Sequence, residues 1–283
     1  MAARSPARRR ARRTGLRHGL SDLGARVWVA VPAAAYAIAI IAAGDWIFAV
    51  GVLVLCLVCM HELFRMYAAL HPVRLAGFLC LLGLTAAAYF GGEHHVLLTT
   101  VACFPVVFGL GLLLPERRDV TLTDGMAVTL LGTFWIGLAL AHAVLLRELP
   151  HGGAIVLAVL VGTFVGDTAA YLGGRFFGTR PLAPRISPSK TVEGLVFGFF
   201  GATFGVWAAG TYSDWFGGWE ALALGAIVGV AAPLGDLFES KVKRDAGFKD
   251  AGRMFGAHGG ALDRLDAAFF SLVAGYYAWL WLM

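Results

Sequence analysis

Apolar residues run along this chain in blocks of membrane length, joined by short polar links. A spanning helix needs about 20 mostly apolar residues to cross about 30 Å of hydrocarbon. Nine blocks approach that length, at roughly 27–43, 46–60, 75–91, 95–114, 126–146, 153–174, 194–212, 218–235 and 265–283. The pattern predicts an all-α polytopic integral membrane protein with about nine transmembrane helices. The first two blocks can form either two spans or one re-entrant hairpin.

Composition and charge sharpen this picture. Of the 283 residues, 59% are hydrophobic and 14% charged, far from the balance of a soluble globular domain. Lys and Arg are preferentially kept on the cytoplasmic side of a membrane. With nine spans and the N-terminus inside, 22 of the 23 basic residues fall in inner links and only Arg147 falls outside. The C-terminus is then expected on the far side. Residues 1–26 read as a basic cytoplasmic tail that fixes topology and touches anionic headgroups, not as a nucleic-acid arm. Cys56, Cys59, Cys80 and Cys103 all lie within apolar blocks and read as small packing residues.

Polar residues concentrate in the last four blocks. Residues 1–26, 27–160 and 161–283 accordingly read as tail, N-terminal transmembrane helices and C-terminal transmembrane catalytic region. Asp167 lies inside the sixth block, where a carboxylate is expensive and by default functional; the plainer alternative is a structural ion pair with Arg175 or another cationic group. Pro181, Pro184 and Pro188 keep residues 180–189 extended or turning. Ser189 or Thr191 can cap the next helix. With Lys190 beside that helix start, "SPSKT" can cradle a phosphate or serve as an ordinary capped loop.

The other informative stretch is "SKVKRDAGFKDAGRMFGAHGGALDRLD", residues 240–266. A helix continuing through it from the eighth block puts Asp236, Ser240 and Lys243 on one face, with Glu239 beside them. Five glycines break the helix and allow backbone to approach a ligand. Asp263 and Asp266 then share a face of the ninth helix. Carboxylates from two helices can converge on a hard cation such as Mg²⁺, while Lys241, Lys243, Arg244, Lys249, Arg253 and Arg264 supply charge for an anion. Such a set suits metal-dependent phosphate chemistry on a membrane lipid. Spacing alone names no nucleotide.

The 240–266 stretch resembles the signature of the phosphatidate cytidylyltransferases, the CDP-diacylglycerol synthases. The matching positions are Ser240, Val242, Lys243, Arg244, Lys249, Asp250, Gly252, Phe255, Gly256, His258, Gly259, Gly260, Asp263, Arg264, Leu265 and Asp266. Ala261 departs from the pattern, which usually has a larger apolar residue there. The upstream run "GDTAAYLGGRFFGTRPLAPRISPSKTVEG" resembles the family's second shared region, so the likeness covers mainly residues 160–270. The resemblance implies transfer of CMP from CTP to phosphatidic acid, yielding CDP-diacylglycerol and pyrophosphate. It implies a plasma-membrane enzyme of a bacterium with its site on the cytoplasmic face, Mg²⁺, a second monovalent cation such as K⁺, membrane-lipid contacts and a homodimer. By the same resemblance Asp236, Asp263 and Asp266 form the metal site. Lys190, Ser240, Lys243, Arg244, Asp250, His258 and Arg264 are the catalytic set. Asp167, Arg175, Ser187, Ser189, Thr191, Glu193 and Lys249 join Lys190, Lys243, Arg244 and Arg264 in binding substrate.

Other chemistries fit less well. A CDP-alcohol phosphotransferase would carry a compact Asp-rich motif on one helix, and none occurs. An enzyme acting on an isoprenoid ether lipid phosphate would share the motifs seen. An organic-anion transporter would spread polar residues through an inverted repeat.

Overall fold

The computed structural model describes residues 31–115, 119–252 and 259–283. Among them seven helical stretches are long and apolar enough to cross a membrane: α2 (Asp45–Met66), α3 (Arg74–Gly111), Leu122–Glu148, α6 (Gly152–Phe177), α7 (Val192–Gly210), α8 (Gly218–Asp245) and α9 (Leu262–Leu282). The Leu122–Glu148 stretch is α4 (Leu122–Gly132) and α5 (Leu138–Glu148), joined by a π turn at Thr133–Gly137. The chain is a multi-pass membrane protein.

The described helices do not establish the expected count of nine, for two local reasons. Of the first apolar block the described residues show α1 (Val31–Ala43), a stretch of about 20 Å at 1.5 Å per residue. Expected spans 75–91 and 95–114 both lie in α3, which would be about 57 Å long if straight. It is not straight. Gly92 has φ 71° and ψ −163°, a backbone state open mainly to glycine. Beyond it the chain returns along itself: a Cβ at Gly83 would stand 3.3 Å from Thr99 Cγ2, and one at Gly111 3.5 Å from Val73 Cγ2. Cys80 and Cys103 lie on the two arms of this hairpin. Their thiols are free and buried, as expected of packing residues.

Small residues govern the approach of α6 to α7. A Cβ at Gly194 would fall 2.8 Å from Ala170 O, and one at Gly198 2.9 Å from Ala170 Cβ. Only hydrogens fit there, so the Gly194, Gly198 and Gly201 face is spent on packing within one chain. Between these helices the proline-rich link forms an antiparallel hairpin, β1 (Pro181–Ala183) and β2 (Ser187–Thr191), with Pro181 opposite Thr191 and Ala183 opposite Ser187. The expected extended or turning segment is thus a small sheet in an otherwise helical protein.

Helices α8 and α9 are polar at one end and tryptophan-rich at the other. Trp215, just before α8, lies 6.0 Å ring to ring from Trp279 of α9, and Trp219 lies 6.3 Å from Trp281. Tryptophan favours the membrane–water interface. The charged residues of α8 and α9 mark the opposite end.

Candidate active site

The site is built where α8 ends and α9 begins. Asp236, Glu239, Ser240 and Lys243 recur at helical spacing and face one way. At Gly235 the two helices nearly touch, since a Cβ there would stand 2.5 Å from Asp266 O. This close approach sets Asp236 and Glu239 against Asp266. One carboxylate oxygen from each of the three lies within 4.8 Å of the others.

Two ammonium groups border the cluster. Lys190 Nζ, at the end of β2, is 2.5 Å from Asp236 Oδ2. Lys243 Nζ is 2.5 Å from Glu239 Oε2 and donates to Asp263 Oδ1 at 2.7 Å. Ser240 Oγ faces Asp236 Oδ1 at 3.5 Å. Asp167, on α6, is within electrostatic reach of Asp236, Lys190 and Asp266. Five carboxylates thus share this region with two lysines, a formal excess of negative charge that a divalent cation would offset in large part. Glu239 is completely buried, and its Oε1 has no hydrogen-bond partner among the described residues. An unpartnered, buried carboxylate oxygen on a residue clustered with two further carboxylates fits a hard metal ion.

The structure distributes the expected metal ligands differently from their spacing. Asp236 and Asp266 share the cluster, but the Asp263 carboxylate is occupied elsewhere. It accepts from Gly260 N at 2.7 Å, from Ala251 N at 3.0 Å and from Lys243. Glu239 takes the third place. In the sequence it stood beside the expected set without a role, although its position three residues from Asp236 was a usable signal.

The remaining expected residues fall into groups. Thr191 caps α7, its Oγ1 accepting from Gly194 N at 3.1 Å. Val192 N donates to Arg180 O at 2.9 Å, so two backbone donors expected for a phosphate cradle are already used. Glu193 accepts from the backbone N of Thr179 and Arg180 at 3.1 and 3.2 Å, and from Thr179 Oγ1 and Arg180 Nε at 2.9 and 3.0 Å. It anchors the hairpin. Ser187 and Ser189 lie on β2, half-buried and exposed respectively. Arg244 reaches the same hairpin, donating to Ile186 O at 3.4 Å, and also to Phe248 O at 3.3 Å. Arg175 donates to Tyr171 Oη at 2.9 Å, which replaces the considered pair with Asp167. Lys249, Asp250 and Arg264 are exposed at the same end of the molecule. His258, Arg253 and the tail 1–26 lie outside the described residues.

A second residue of this region, besides Glu239, had no role assigned from the sequence. Glu62, on α2, is 5% exposed and accepts from Leu262 N at 2.9 Å. An ionisable residue just beyond an apolar block was the one signal that could have pointed to it.

A cluster of carboxylates flanked by lysines at one end of a helical membrane protein defines a class, one whose acidic groups could hold a metal ion. The comparison of sequences narrows that class. This chain belongs to the Cytidylyltransferase family, whose sequence model matches residues 24–282. It is 28% identical over 290 residues to the phosphatidate cytidylyltransferase of Synechocystis sp., covering 89% of this chain and 94% of that one. It is 33% identical over 204 residues to the uncharacterized protein YnbB of Escherichia coli (strain K12), covering 67% and 68% of the two chains. The phosphatidate cytidylyltransferase of Brucella suis is 38% identical over 136 residues, covering 48% of this chain and 50% of that one.

Proposed function

We propose that this chain transfers the cytidylyl group of CTP to phosphatidic acid, producing CDP-diacylglycerol and pyrophosphate. The observation that carries the proposal is the convergence of Asp236, Glu239 and Asp266 beside Lys190 and Lys243 in a cytidylyltransferase-family chain. The relatives named phosphatidate cytidylyltransferase supply the lipid.

In the reaction, an oxygen of the lipid phosphate bonds to the α-phosphorus of CTP. The bond from that phosphorus to the bridging oxygen breaks, and its electron pair leaves with pyrophosphate. A phosphate monoester carries about −1.5 to −2 charge at neutral pH, so the attack needs little help from a base. The difficulty is repulsion between anions. Asp236, Glu239 and Asp266 would hold Mg²⁺, which when bound neutralises charge on the phosphates. Lys190 and Lys243, paired with carboxylates, present ammonium groups to the same volume. Arg244, Lys249 and Arg264 add positive charge towards the water. Ser240 orients oxygen at the edge of the cluster. Asp167 with Asp236 would hold a second, monovalent cation such as K⁺. The reading places the site on the cytoplasmic face of a bacterial plasma membrane, in a homodimer whose interface lies outside the α6–α7 glycine face.

The test uses purified chain in detergent with CTP, Mg²⁺ and a lipid phosphate. Phosphatidic acid should support pyrophosphate release, and chelation of the metal should abolish it. Release with an isoprenoid ether lipid phosphate but not with phosphatidic acid would transfer the activity to the other lipid class.

A further inference from the structure

We infer that Glu62 is a positioning residue for the site, through which the N-terminal helices set the geometry of the catalytic end. The inference rests on the cytidylyl-transfer reading only for its activity measurement. Glu62 belongs to α2 and is separated by 200 residues from its hydrogen-bond partner, Leu262 N, in the first turn of α9. Its carboxylate also fills the space next to two glycines. A Cβ at Gly252 would collide with Glu62 Oε1, and a Cβ at Gly260 with both of its carboxylate oxygens.

The same two backbone stretches are also held by Asp263. Ala251 N and Gly260 N both donate to it, at 3.0 and 2.7 Å. Two carboxylates therefore grip one pair of chain segments: Glu62 touches 252, 260 and 262, and Asp263 touches 251 and 260. Asp263 in turn accepts from Lys243, and α9 carries Asp266 into the cluster. A displacement of residues 260–262 therefore moves the partners of both Lys243 and the metal-site carboxylates. A second contact from the same end of α2 fixes the other helix, since Tyr67 Oη donates to Val242 O at 2.9 Å.

Burial makes the carboxylate informative. At 5% exposure Glu62 forfeits hydration, and apolar side chains of similar volume would commonly be as stable or more so. What apolar packing cannot provide is a directional acceptor for an α9 N–H, favoured further by the positive end of that helix.

The experiment compares E62A and E62Q in the full chain, because the Gln oxygen can still accept from Leu262 N. Hydrogen exchange of amides 259–263 should speed up at least about tenfold in E62A and by less than about threefold in E62Q, as loss or retention of one buried hydrogen bond implies. In the pyrophosphate assay kcat should fall at least about tenfold in E62A, with KM for CTP changed less than about threefold, and E62Q should recover most of the loss. If E62A does not fold, G260A should reproduce the exchange and kcat pattern by displacing the carboxylate. Unchanged exchange in both E62A and G260A would overturn the inference. So would a lower melting temperature with kcat unchanged, which is the behaviour of a merely structural contact. If the unmodified chain releases no pyrophosphate, the cytidylyl-transfer reading fails, and the exchange pattern still decides the role of Glu62.

Discussion

Asp263 and Asp266 sit three positions apart on one helix, yet their carboxylates have different partners. Asp266 faces Asp236 and Glu239, whereas Asp263 is held by Lys243 and two backbone N–H groups. The structure therefore predicts different failures for the two Asn variants. D236N, D266N and E239Q should each raise the Mg²⁺ concentration for half-maximal activity at least about tenfold, because each removes charge from the metal-facing set. D263N should lower kcat by a comparable factor with a much smaller shift in Mg²⁺ dependence, measured by titrating Mg²⁺ in the pyrophosphate assay. Spacing made both aspartates visible and put them on one face. It could not show that Asp263, in the first turn of α9, would be claimed by nearby N–H groups. Nor could it show that Glu239 would lose all its hydration and complete the cluster.

At the scale of elements, the hairpin and the α6–α7 pair deliver Lys190 to Asp236. Glu193 makes four hydrogen bonds to Thr179 and Arg180, so E193A should release the hairpin. Limited proteolysis should then cut within 179–190 faster than in the unmodified chain, and activity should fall with it. The glycine contacts give a second expectation. G198L inserts a side chain where a Cβ alone would be 2.9 Å from Ala170, and should destabilise the protein by about 1–3 kcal/mol, read as a lower melting temperature. Much of this level was legible: prolines marked the link between helices, Thr191 was one of two expected caps, and the apolar blocks among the described residues fall largely within helices, although α8 runs to Asp245, beyond its block, and two blocks share α3. The hairpin bend in α3 was legible only as a gap between two blocks. It depends on Gly92 adopting positive φ, and a sequence with many glycines does not say which one turns the chain. Glu62 escaped because its partner is a backbone N–H on a distant helix, which leaves no mark in residue spacing.

The whole molecule is polarised, with charged chemistry at one end of α8 and α9 and tryptophans at the other. The near-exclusive placement of Lys and Arg in alternate links predicts that the charged end faces the cytoplasm. All four native cysteines are buried, so an introduced thiol reports cleanly. In intact cells a membrane-impermeant thiol reagent should label Y212C, at a position 94% exposed in the link between α7 and α8, and should leave K249C unlabelled until the membrane is opened. The reverse pattern would invert the orientation. The central claim, that a cytidylyl group passes from CTP to phosphatidic acid, is tested most directly by following the phosphorus atoms. With CTP labelled at its α-phosphate, label should enter the lipid phase in a product bearing cytidine; with CTP labelled at its β-phosphate, all label should leave as water-soluble pyrophosphate. Label from the β- or γ-phosphate in the lipid, or none from the α-phosphate, would contradict it.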